Sequence, residues 1–161
     1  MIDPKDFEQR IKRIDGAYNR REFRDAMRAI LEGMEDVGKG FLRIAAAAKI
    51  IRDKGYFAEM GFSSFNEFCP AILGKTRKTI YLYLRIQTVI DDYPELFDPV
   101  TVTRLGSGKM DKIIVGIKRI ERQAKSKIEC NRKVKQLVGD IDPTMSVDEV
   151  ELVVRDVAPP E

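Results

Sequence analysis

The stretch LGKTRKTIYLYLRI, residues 73–86, gathers the side chains best suited to recognising another molecule. Arg77 carries a planar guanidinium that can fork onto the O6 and N7 acceptors of guanine. Lys75 and Lys78 are mobile point charges suited to phosphates, contacts that position a protein without specifying a sequence. Tyr81 can bond a phosphate or pack on a thymine methyl, and Arg85, two turns deeper, can reach the backbone. At helical spacing Thr76, Arg77, Lys78, Tyr81, Leu82 and Arg85 share an outward face. The candidate DNA-contact set is Lys75, Thr76, Arg77, Lys78, Thr79, Tyr81, Leu82 and Arg85. No acidic residue lies between Phe68 and Ile90, so nothing in that stretch repels phosphate.

Such a helix has to be held by a partner. Ser64 and Glu67 form a capping box that opens a preceding helix, since hydroxyl and carboxylate can each satisfy a free amide. Phe65, Phe68 and Leu73 supply its apolar contacts, with Ile80, Tyr83 and Leu84 opposite. Gly74 supplies the turn and Thr76 can cap the second helix. This is the outline of a helix-turn-helix. Two residues depart from the usual pattern: Pro70 stands inside the first helix, where it should bend or shorten it, and Lys75 follows the turn glycine where an apolar residue is usual. An αα corner with a solvated basic face would use the same residues.

The remaining elements read as helices. Asp3-Pro4 looks like a cap and first helical position, followed by Phe7, Ile11 and Ile14, with Gly16 ending the piece. From about Arg20, Phe23, Met27, Ile30, Leu31 and Met34 keep one face. Gly38 and Gly40 mark a break. Phe41 to Lys54 is apolar over a wide arc, which suits a central helix, and Gly55 is a plausible C-terminal cap. Arg77 to about Asp91 follows, with Ile80, Leu84, and Tyr83 or Gln87 inward, ended by Tyr93-Pro94. Short helical turns are expected over Pro94–Phe97 and Pro99–Arg104. Ser107 is expected to cap one long helix, roughly Lys109 to Leu137, with Met110, Ile113, Ile114, Ile117, Ile120, Ala124, Ile128 and Val134 as its stripe. Ser146 and Glu149 make another capping box before Val150, Val153 and Val154, a segment that could also be a strand. The expected fold is an all-α multi-helix bundle containing a helix-turn-helix. Its divisions are an N-terminal helical extension (1–36), a DNA-binding domain (37–105), and a basic long helix with an acidic C-terminal segment (106–161).

Composition narrows the function. Hydrophobic residues make up 43% of the 161, enough to build a core. The net charge is only +3, so its distribution matters more. From Arg104 to Lys135, eleven Lys or Arg face only Asp111, Glu121 and Glu129. That asymmetry suits a polyanion-tracking surface and a long solvated helix equally. The absence of histidine removes the commonest general base and many metal sites. Gly-Ser-Gly-Lys at 106–109 lacks P-loop spacing. No enzyme activity, cofactor or metal is expected. Cys69 and Cys130 form no paired motif, which fits a reducing cytoplasm. The charged start lacks a signal-peptide core, and no apolar run is long enough for a membrane span.

The segment GYFAEMGFSSFNEFCPAILGKTRKTIYLYLRI resembles bacterial, phage and plasmid DNA-binding proteins. They share a Gly-aromatic entry, a Gly-Phe/Tyr-x-Ser-Phe-x-Glu-aromatic helix, a Leu-Gly-x-Ser/Thr turn and a helix opening with basic and small residues. LGSGKMDKII at 105–114 looks like the Leu-Gly-x-x-Lys segment that often follows in them. The resemblance covers about residues 41–117. It implies a helical DNA-binding domain acting in transcriptional control or in replication and partition of mobile DNA, with Thr76, Arg77, Lys78, Tyr81 and Leu82 at the reading positions. The implied partner is double-stranded DNA. A homodimer is plausible, with the 110–128 stripe or the N-terminal helices as its seam. The principal rival is a helical protein-interaction module whose basic face only solvates. A membrane-surface role is weakest, because the basic helix lacks tryptophan on its apolar face.

Overall fold

The computed structural model describes residues 21–35, 40–73 and 77–161, and every regular element among them is helical. The expected helix after Asp3-Pro4, the break at Gly38, and the turn residues Gly74, Lys75 and Thr76 lie outside the described residues. Eight α-helices are described: α1 (Arg21–Glu35), α2 (Phe41–Lys54), α3 (Phe65–Phe68), α4 (Arg77–Asp92), α5 (Pro99–Leu105), α6 (Ser107–Gln123), α7 (Lys127–Gly139) and α8 (Val147–Val157). A 3-10 turn (Tyr56–Met60) follows α2, and a π turn (Cys69–Leu73) extends α3. Compact packing divides the chain between Gln87 and Thr88, inside α4.

In the N-terminal unit α1 and α2 form a hairpin. Phe23, Met27 and Ile30 of α1 are fully buried, as their spacing predicts. Ile44, Ala47, Ala48 and Ile51 of α2 belong to the same cluster, with Tyr56, Phe65, Phe68, Cys69, Ile80 and Leu84. The alanines keep α2 thin enough for neighbours on several sides. Two ion pairs link the hairpin. Lys54 bonds Glu22, which also accepts from the Tyr56 hydroxyl at 2.7 Å, and Arg43 meets Glu32 at 2.7 Å. The bonds from Lys54 and Tyr56 hold the Glu22 carboxyl below the usual range. The α1 and α2 backbones meet at two glycines: a Cβ on Gly40 would lie 1.7 Å from the Gly33 carbonyl oxygen. Gly55 closes α2 at φ +67°, the left-handed cap expected of it.

The C-terminal unit corrects the long-helix expectation. The run from Lys109 to Leu137 is two helices, interrupted at Ala124–Ser126. Ser126 takes an extended backbone and its Oγ accepts from the Glu129 N–H at 3.1 Å, while the Lys125 N–H donates to Glu129 Oε2 at 2.9 Å. The break is thus a helix start, legible as Ser126-x-x-Glu129. Ile128, assigned to the buried stripe, is 83% exposed, because the break rotates it out of register. Ser107 does not cap α6 either. Gly106 holds the cap position at φ +83° and no side chain bonds the free amides there. The C-terminal segment is the helical alternative, with Ser146 Oγ accepting from the Glu149 N–H at 3.1 Å.

Met110, Ile113, Ile114, Ile117 and Ile120 of α6 are buried, in a unit where α7 and α8 both pack on α6. Val134, Leu137, Val150 and Val154 are the buried residues of those two helices. A Cβ on Gly116 would lie 2.9 Å from Leu137 Cδ2 and 3.0 Å from Val154 Cγ1, so this glycine sets the spacing. The 110–120 part of the expected dimer seam is therefore internal core.

Gly40→Ala should be the costlier of two glycine substitutions, because its methyl meets backbone that cannot rotate away. Overpacking of this kind costs about 1–3 kcal/mol or more. Gly116→Ala meets movable side-chain ends and should cost less, a ranking that thermal unfolding of the two variants checks.

The capping carboxylates give a pH signature. Asp98 is held low by the Thr101 hydroxyl and amide, Asp142 by the Thr144 amide and hydroxyl, and Glu129 by the Lys125 amide. A depressed carboxyl contributes stability above its unfolded value, here 4.5 for Glu129, and loses it as pH falls through the folded value. Glu129→Gln should therefore melt below wild type at pH 7, and the gap should close as pH drops under about 4.5, as melting curves across pH would show.

Candidate nucleic-acid interface

α3 is only four residues long and depends on its surroundings. Ser64 Oγ accepts from the Glu67 N–H at 3.2 Å, and Glu67 Oε2 in return accepts from the Ser63 hydroxyl at 2.8 Å. The reciprocal half of the box reaches Ser63, one residue earlier than the standard pattern. Phe65 and Phe68 are buried and stack with centroids 6.0 Å apart. Pro70 shortens the helix as expected. Lacking an N–H, it falls in the wider π turn, where the regular ladder is already interrupted.

Tyr81 ties α4 to α3. The Tyr81 hydroxyl donates to Asn66 Oδ1 at 2.5 Å, and its ring meets Phe65 edge-on at 6.2 Å. Tyr81, expected on the outward face, is half-buried instead, its hydroxyl engaged within the chain. A phenol this close to α3 serves to position α4, and the contact was invisible in the sequence because Asn66 is fifteen residues away. Beneath it, Ile80 and Leu84 are buried as expected, and Ile86, which periodicity did not assign inward, is buried too.

Of the remaining candidates, Arg77, Lys78 and Arg85 are exposed, while Thr79 and Leu82 are half-buried. Arg77 and Lys78 occupy the first turn of α4, and Asp91 and Asp92 its last turn. That order opposes the helix macrodipole, which favours carboxylates at the N-terminus and cations at the C-terminus. α8 follows the favourable order, with Asp148 and Glu149 in its first turn and Arg155 in its last. α4 therefore places cations at the end where the helix dipole is positive, an arrangement complementary to an anion.

Other chemistry is sparse. Cys69 is buried and its thiol is pushed up to about 11 by that burial, so it stays protonated and inert at neutral pH. Burial and the neighbouring Cys130 also raise the Tyr93 phenol, whose hydroxyl lies 3.1 Å from Glu121 Oε1. No group of His, Cys, Asp and Glu among the described residues could hold a metal. No described helix is long and apolar enough to cross a membrane.

Comparison with known proteins yields no matching family model, no matching curated protein and no matching solved structure.

Tyr81→Phe should keep the ring packing on Phe65 and lose the bond to Asn66. The expected loss is about 0.5–1.5 kcal/mol, the net worth of an ordinary hydrogen bond, read by urea unfolding. Asn66→Ala should cost no more in the Tyr81→Phe background than experimental error, since the pair would already be broken.

Proposed function

We propose that the chain binds double-stranded DNA, with α3 and α4 acting as a helix-turn-helix and the start of α4 entering the major groove. The observation that carries this reading is the placement of Arg77 and Lys78. They are exposed on the first turn of a helix that is anchored by the burial of Ile80, Leu84 and Ile86. That helix is also fixed to α3 by the Tyr81–Asn66 bond. A buried anchor and exposed cations at the start of the helix are what a reading helix requires. In this reading Arg77 contacts base edges, Lys78, Lys75 and Arg85 contact phosphates, and Tyr81 positions the helix. The biological setting would be transcriptional control or replication and partition of mobile DNA, as the resemblance implies.

A homodimer would place two reading helices on two half-sites. With the α6 stripe enclosed in its own unit, the surface that suits it is the N-terminal hairpin. There Ala26, Ala29, Ala46, Ala47 and Ile50 line a groove of about 710 Å³ along α1 and α2. The rival reading, a protein-interaction module without DNA binding, rests on the same groove.

Fluorescence anisotropy with a random-sequence duplex across a salt titration tests the proposal. Wild type should bind with steep salt dependence. Arg77→Ala/Lys78→Ala should lose much of that binding with its melting temperature unchanged or slightly raised, since both cations oppose the helix dipole. On a selected site, Arg77→Ala alone should relax discrimination at one base position by ~1–3 kcal/mol, and Lys78→Ala should weaken all sequences alike. Binding by the double variant that matches wild type would displace the reading helix from this position.

A further inference from the structure

We infer that α7 provides a second contact surface for duplex DNA phosphates, separate from the start of α4. The inference rests on the DNA-binding reading above and assigns a further part of the chain to the same ligand.

The interruption at Ala124–Ser126 creates this surface. Had 109–137 been one helix, Ile128 would have continued the buried stripe. With a new helix starting at Lys127, Val134 and Leu137 turn inward, while Ile128, Asn131, Arg132, Lys135 and Gln136 lie outward at i, i+3, i+4, i+7 and i+8 spacing. All five are exposed, and Lys125 and Lys127 are exposed at the helix start. No carboxylate stands among these outward positions. The one acid of α7, Glu129, is turned to the side, where it holds the Lys125 amide and lies 3.5 Å from Lys133. Its role is to cap the helix, and that leaves Lys127, Arg132 and Lys135 outside the ion pairs of the described residues.

The neighbouring cations differ. Lys118 pairs with Glu121 at 3.5 Å and Arg122 with Glu161 at 3.5 Å. The Arg119 guanidinium donates to the Ala158 carbonyl at 3.3 Å. The basic run read from the sequence thus divides into Lys118, Arg119 and Arg122 of α6, which bond oxygen atoms within the unit, and Lys127, Arg132 and Lys135 of α7, which stand in no ion pair among the described residues. Carboxylates bound the α7 face on one side, where Asp92 and Glu95 share a cleft with Asn131 and Lys135.

The geometry suits a regular polyanion. Lys127 to Lys135 spans about 12 Å of helix, a length over which duplex DNA presents about seven phosphate charges. The face is short of apolar area for a protein interface, with Ile128 its one large hydrophobic side chain.

The test uses the full-length chain and a random-sequence DNA duplex. Lys127→Gln/Arg132→Gln/Lys135→Gln removes three cations from exposed positions with residues that favour helix, and circular dichroism should show an unchanged melt. The dependence of log affinity on log salt should flatten by about 2–3, close to 0.9 for each phosphate no longer neutralised. Lys118→Gln/Arg122→Gln, which also lowers net charge, should change the slope far less. Asp92→Asn/Glu95→Gln should tighten binding. A wild-type slope in the triple variant would overturn the inference, as would an equal loss per charge in the Lys118/Arg122 control, which would mean that net charge alone acts. The α4 reading is judged separately. If Arg77→Ala/Lys78→Ala binds as wild type while the α7 variant loses slope, the α4 reading fails and the α7 surface stands. If wild type fails to bind the duplex at low salt, both fall.

Discussion

Burial of Phe65 and Phe68 beneath the α1–α2 hairpin is the constraint on which the N-terminal unit depends. A helix of four residues has too few internal hydrogen bonds to offset the ordering of its backbone. α3 persists because two stacked rings enter the common core and because Ser64 Oγ accepts from the Glu67 N–H while Glu67 Oε2 accepts from the Ser63 hydroxyl. Phe62 and Phe57 extend the ring cluster, each edge-on to one of the two phenylalanines. α4 inherits its position from this cluster through Tyr81. The orientation of Arg77 and Lys78 is thus set by apolar packing some distance from either charge.

Small residues make that packing possible. The α1 and α2 backbones touch at Gly33 and Gly40, and α2 presents alanines where bulkier residues would hold its neighbours away. Gly116 does the same for α6 beneath α7 and α8. In both units close approach lets a few side chains exclude water over much of a helix face. That matters in a chain where about a third of residues are charged and helices are short.

Electrostatics follow a division of labour. Carboxylates such as Glu129, Asp98 and Glu149 sit at or beside helix starts, where free amides use them. α4 departs from that rule, with cations first and aspartates last. In the DNA-binding reading, this arrangement against the helix dipole serves a ligand. The same logic separates the α7 cations from those of α6. On α6 Lys118, Arg119 and Arg122 meet carboxylate or carbonyl oxygen within the unit, whereas on α7 the capping acid is drawn aside.

The all-helical character, most helix starts and stops, and the inward faces of α1, α2 and α6 were legible in the order of residues. These follow from 3.6-residue periodicity and from capping side chains, both properties of neighbouring residues. The Ser126-x-x-Glu129 start was present there too, although the apolar stripe running through it masked the break. What those faces meet was settled by folding alone. Packing enclosed the 110–120 stripe beneath α7 and α8, turned Ile128 outward, and drew the Tyr81 hydroxyl onto Asn66. Each outcome depends on which distant segment fills the available space. Periodicity specifies that a face is buried but leaves its partner open, because hydrophobic burial has no direction until close packing supplies one.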